Sequence, residues 1–323
     1  MRRFAITAMG LAFLLASPLA RADSADYGHN SQQEGGLPAD DYDGALVTPD
    51  ANGNPRAPTA CAPTATVNSF EMLQNVYGVT GLVDDADPYD AINELADDMG
   101  TQGDSFYNPA SPNYHTRHTG GTSAQGLVNG KVEYIEANQT GGPEIEVHGQ
   151  GIFGTFNNDG TVNSGGNGVD TIPTDEFLQQ QIADGQDVEV WESWVDSDGV
   201  LGHNGAHIIT ITGIDSEAGT INFVDPWDGV DVDATFQIED TEVQNGTIDG
   251  NPVGVSGNFM RITYPAPDDG GDDPENPDDP ADEMSADISM VVAESPVPEP
   301  ATLALLVIGT GMLALRRRQL TTI

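Results

Sequence analysis

Apolar residues recur at helical spacing as far as Gly185 and at alternating spacing from Asp187 onward. This one change of period restricts the fold more than any other feature of the chain. Residues 64–76 carry Val67, Phe70, Met72 and Leu73 on roughly one helix face. Asp87 reads as an N-cap ahead of Pro88, opening a second helix that runs to about Met99. Thr122 and Ser123 cap a third, with Leu127, Val128, Val132, Tyr134 and Ile135 as its apolar side. Pro173 and Thr174 begin a fourth, through Phe177, Leu178 and Ile182. Residues 187–195, 206–214, 220–224, 232–238 and 258–264 then read as strands. N-terminal helices packed on a C-terminal antiparallel sheet make an α+β fold.

Composition sets the borders. Residues 23–55 are rich in Asp, Gly, Pro and Asn and read as a flexible acidic arm. Residues 265–296 carry runs such as Asp269-Gly270-Gly271-Asp272-Asp273-Pro274 and read as a disordered acidic linker. Residues 56–264 remain as one domain, long enough for a single core.

Both ends carry address-like segments. Basic Met1-Arg2-Arg3, an apolar run from Phe4 to Leu15 and Ala20-Arg21-Ala22 make residues 1–22 a secretory signal peptide. At the far end, Val297-Pro298-Glu299-Pro300 precedes the apolar run 301–315 and Arg316-Arg317-Arg318. That run of 15 residues falls short of the roughly 20 that span a bilayer comfortably. The arginines would stay on the cytoplasmic side. Residues 297–323 resemble the PEP-CTERM sorting signal of Gram-negative bacteria. The resemblance implies recognition by an exosortase, transient anchoring in the inner membrane through a short transmembrane segment, and delivery to the cell surface or matrix.

Charge excludes some partners. Between residues 23 and 297 lie 51 acidic residues against Arg56, Arg117, Lys131 and Arg261, a net charge near −47. Such a surface repels nucleic-acid phosphates and anionic lipid. Spread along the chain as they are, these acids point to high salt, where screening weakens self-repulsion; cation binding is the alternative.

Cys61 is the only cysteine. An unpaired cysteine in an exported chain is an intermolecular link or a reactive thiol. Its place at the start of the first helix favours thiolate, and Pro63 is tolerated there without loss of a helix hydrogen bond. A nucleophilic cysteine also needs a base and a group to orient that base. His207, at the mouth of the 206–214 strand, is the base, and Asp225, at the end of the next strand, is the orienter. Trp227 is placed to cover the pair and line a substrate cleft.

Cys61-Ala62-Pro63-Thr64-Ala65, then Gly205-Ala206-His207 before Ile209-Thr210-Ile211-Thr212-Gly213-Ile214-Asp215, then Val224-Asp225-Pro226-Trp227, resemble papain-like cysteine peptidases of the bacteriocin-leader (double-glycine) type. The resemblance implies a papain-like fold and hydrolysis of peptide bonds through a thioester, with Cys61, His207 and Asp225 in nucleophile, base and orienter roles. That family carries an oxyanion-hole glutamine a few residues before the cysteine. Here the first glutamine upstream is Gln33, so Asn54 is the substitute donor. Two other readings fit the residue types: a non-catalytic surface or matrix protein on a degenerate papain-like domain, and a transglutaminase-like acyltransferase.

No metal centre or cofactor is indicated. His115 with His118, and His203 with His207, lack a third ligand at zinc-like spacing. Asp196-Ser197-Asp198-Gly199 opens like a calcium loop, but His207 stands where the closing glutamate belongs. The glycine-rich loops at 157–160 and 165–168 lack the lysine of a phosphate cradle.

Overall fold

The computed structural model describes residues 24–32, 48–49, 55–56, 60–84, 86–101, 122–152, 154–156, 162–163, 172–195, 201–248, 251–265 and 283–297. Four α-helices occur among them: α1 (Cys61–Tyr77), α2 (Pro88–Asp98), α3 (Ala124–Asn138) and α4 (Asp175–Ala183). A short pair, β1 (Thr48–Pro49) and β2 (Pro55–Arg56), stands apart. The main sheet contains β3 (Glu144–Gly151), β4 (Gly154–Phe156), β5 (Val162–Asn163), β6 (Asp187–Val195), β7 (Leu201–Asp215), β8 (Thr220–Asp225), β9 (Val230–Ile248), β10 (Asn251–Pro265) and β11 (Glu283–Val297).

The helices begin where capping chemistry places them. Ser123 and Thr174 accept from the backbone N–H three residues on, of Gly126 and Phe177, and Pro88 occupies the first turn of α2. α1 ends at Gly78, whose left-handed φ of 67° an L side chain rarely adopts. Its apolar side, with Val67, Phe70, Met72 and Leu73 fully buried, packs with α2 and α3 in one core, where Phe70 stacks on Tyr134 at 5.8 Å.

All sheet pairings are antiparallel, in the order β10-β9-β8-β7-β6-β11-β3-β4-β5. β10 also pairs with the first part of β11, so β6 to β11 close into a six-stranded ring. Two cores result. Ile208, Val224, Met290 and Val292 face the helices, while Val188, Val190, Ile209, Ile211, Phe223, Ile262, Ile288 and Val291 fill a second core with Leu178 of α4. The expected α+β arrangement is present: α1 to α3 pack on one face of an antiparallel sheet, and α4 packs into the second core.

Two expected borders need correction. Residues 283–296, read as disordered linker, form most of β11, set between β6 on one edge and β10 and β3 on the other. The window average across 265–296 hid this strand, because its buried core from Ile288 to Ala293 is short and flanked by acids. Those acids find basic partners only in the fold: Asp287 accepts from Arg261 Nε at 2.7 Å, and Glu294 from Lys131 Nζ at 2.5 Å. At the other border, residues 24–32, read as part of a flexible arm, lie on α1. Tyr27, Ser31 and Gln32 are buried, and Asn68 Oδ1 accepts from both Asn30 N–H groups, main chain and side chain.

Candidate active site

Cys61 is the first residue of α1 and is half-buried with a free thiol. Ala60, at the N-cap, offers no side-chain oxygen, and the first turn contains no acid. In a chain this acidic, that leaves the positive helix end open to an anion. α1 is held against the sheet by Thr210 Oγ1, which donates to the Ala65 carbonyl at 2.9 Å.

β7 and β8 supply the other two residues. Their register sets Thr210 opposite Val224, bringing His207 and Asp225 to the same end of the ribbon. His207 Nε2 lies 2.8 Å from Asp225 Oδ1, both side chains nearly inaccessible. Cys61 lies near enough to this ring to raise its pKa through hydrogen bonding and charge. All three sequence-derived candidates therefore meet.

The electrostatics run one way. Burial pulls the His207 pKa down, but the Asp225 charge, its hydrogen bond, and the bond and charge of Cys61 overcome this and hold it well above the ordinary value. Burial likewise pushes Asp225 up, yet His207 and the Trp227 N–H bring it below the usual carboxylate value. A pair in which each partner favours the other's charged form is set up as carboxylate and imidazolium.

Trp227 acts on the orienter: its main-chain N–H donates to Asp225 Oδ1 at 2.8 Å. Its indole N–H is buried without a partner. Asn54, His115, His118 and the Asp196–Gly199 loop lie outside the described residues.

Sequence reasoning missed the strap formed by residues 28–32. Gly28 N–H donates to the Asn68 carbonyl on α1, while Gln32 N–H donates to Pro226 O at 2.7 Å and Ser31 Oγ to Trp227 O at 2.9 Å. The strap thus ties the cysteine-bearing helix to the turn following Asp225. Gly229 lets it pass, because a Cβ there would stand 2.3 Å from His29 O. The Gln32 side chain is buried beside this turn with neither amide atom partnered, an expensive state for a polar group. The search upstream of Cys61 stops at Gln33 and names Asn54; Gln32 lies one residue further up the chain.

Comparison with protein families finds two matches. Residues 296–319 match the PEP-CTERM protein-sorting motif, which marks an exported, surface-sorted protein and implies recognition by an exosortase. Residues 190–239 match the papain-like cysteine protease AvrRpt2; this stretch holds His207 and Asp225 but not Cys61. No curated protein and no solved structure matches the chain. Among the described residues no helix is long and apolar enough to cross a membrane; the apolar run 301–315 lies outside them.

Proposed function

We propose that the protein is an exported cysteine peptidase, sorted to the cell surface of a Gram-negative bacterium, with Cys61 as nucleophile. The observation that carries this reading is the His207–Asp225 pair at 2.8 Å, with Cys61 beside the ring at the uncapped start of a helix. The partial protease match and the sorting motif support it from outside the geometry.

In this reading His207 holds the thiol proton as imidazolium while Cys61 Sγ attacks the peptide carbonyl carbon. The oxyanion is met by the Cys61 N–H and by the Gln32 side-chain amide, which replaces Asn54 as the proposed donor. His207 returns the proton to the departing amine, leaving a thioester. It then takes a proton from water, whose oxygen attacks the thioester, and protonates Cys61 as the acid product leaves. Asp225 keeps the ring oriented and its charge balanced throughout. Trp227 holds Asp225 through its N–H and forms part of the cleft wall. The double-glycine leader type of substrate is the finer proposal, supported by the motifs around Cys61, His207 and Asp225.

Hydrolysis of fluorescent casein by the purified secreted domain tests this. Cleavage that disappears in Cys61→Ala supports the reading. Cleavage that persists in a folded Cys61→Ala protein, or a folded wild type that cleaves neither casein nor double-glycine leader peptides, sinks it.

A further inference from the structure

Lys131 is the only lysine in the chain, and it is fully buried. Its Nζ lies 2.5 Å from Glu189 Oε2 and 2.5 Å from Glu294 Oε1. A third buried carboxylate, Asp187, has Oδ1 held by Ser69 Oγ at 2.6 Å. Each of the three carboxylates keeps an oxygen that is buried and unpartnered: Asp187 Oδ2, Glu189 Oε1 and Glu294 Oε2. One ligand oxygen from each residue lies within 4.8 Å of the others.

The backbone dictates this convergence. Asp187 and Glu189 share one face of β6, and β11 sets Glu294 directly opposite Asp187. Like charges directly opposite across two strands destabilise the pairing unless something bridges them. Three carboxylates against one ammonium leave two negative charges with no access to water, which the interior tolerates only if they are neutralised.

We propose that Asp187, Glu189 and Glu294 bind a divalent cation of the hard, oxygen-seeking kind, Ca²⁺ being the best fit. A +2 ion with Lys131 brings the cluster to neutrality. The donors are all oxygen, with no imidazole or thiolate to favour zinc or copper. An ion about 2.4 Å from each of three oxygens needs them within about 4.2 Å of one another, a small closure from separations of at most 4.8 Å. Coordination would be completed by water or main-chain carbonyls. The site stitches β11 to β6 behind Ser69 of α1, and it stands independently of the catalytic reading.

Equilibrium dialysis of the EDTA-treated protein against Ca²⁺ in 0.5 M KCl, which suppresses loose binding to surface acids, tests the proposal. The expected result is one retained equivalent and a higher melting temperature with Ca²⁺. In Asp187→Asn the affinity should drop about tenfold or more. No retained equivalent, or one unchanged in Asp187→Asn, overturns it. Should that variant fail to fold, crystals of the wild-type protein grown with Mn²⁺ decide. An anomalous peak among the three carboxylates supports the site; peaks confined to the surface, or none, refute it, leaving bound protons as what neutralises the cluster.

Discussion

At the scale of single residues, the functional proposal rests on how His207 and Asp225 charge each other. The histidine pKa is raised, so its share of stability is complete below about pH 6.5 and fades as pH climbs through the raised value. The aspartate pKa is lowered, so its share is complete above about pH 3.8 and fades as pH falls through the lowered value. In a Cys61→Ala background, Asp225→Asn should therefore destabilise most between about pH 4 and 6.5, with the gap narrowing at alkaline pH. Urea denaturation at pH 5 and pH 9 checks this; a gap independent of pH would show that the pair is not ionic. Gln32→Ala should lower kcat by about 10²–10³ with KM little changed, the loss expected of an oxyanion donor. A change confined to KM would assign Gln32 to substrate binding instead. The places of Cys61, His207 and Asp225 were legible in the sequence because each stands at the end of an element whose period is clear. Gln32 was not, because its place depends on a main-chain bond to Pro226, across the whole domain in sequence.

Among elements, β11 is the decisive one. Ile288, Met290, Val291 and Val292 are each fully buried, and side chains of this size contribute about 1.5–3 kcal/mol apiece. Together they rival the whole net stability of a typical domain, about 5–15 kcal/mol. A chain ending at residue 282 should thus fail to fold, whereas one ending at residue 300 should fold as the full domain does. Circular dichroism and limited proteolysis compare them; a folded, active 282 truncation would remove β11 from the account. The four helices were readable from caps and apolar spacing. β11 was not, because a strand buried on both faces shows no alternation, and its acids find partners only in the tertiary structure. Two of the domain's four basic residues, Lys131 and Arg261, sit against this one strand. The sorting motif matched at 296–319 begins before β11 ends, so little chain separates the folded domain from its address.

For the whole molecule, the net charge near −47 sets the conditions under which everything else operates. Raising salt from 0.1 to 1 M shortens the screening length from about 10 to about 3 Å, which weakens repulsion among surface acids while leaving buried pairs largely untouched. Thermal stability should therefore rise with KCl over that range, and maximal stability in dilute buffer would exclude adaptation to salt.

The account stands on Cys61 being a nucleophile activated by His207. Its most direct test is the rate of alkylation of Cys61 by iodoacetamide at pH 6.5, in wild type and in His207→Ala. Because the chain has a single cysteine, the label reports on this thiol alone. The account predicts labelling at least about tenfold faster than a free peptide thiol, and a marked slowing in the variant. A wild-type rate no faster than that of the peptide thiol, unchanged by His207→Ala in folded protein, would contradict it.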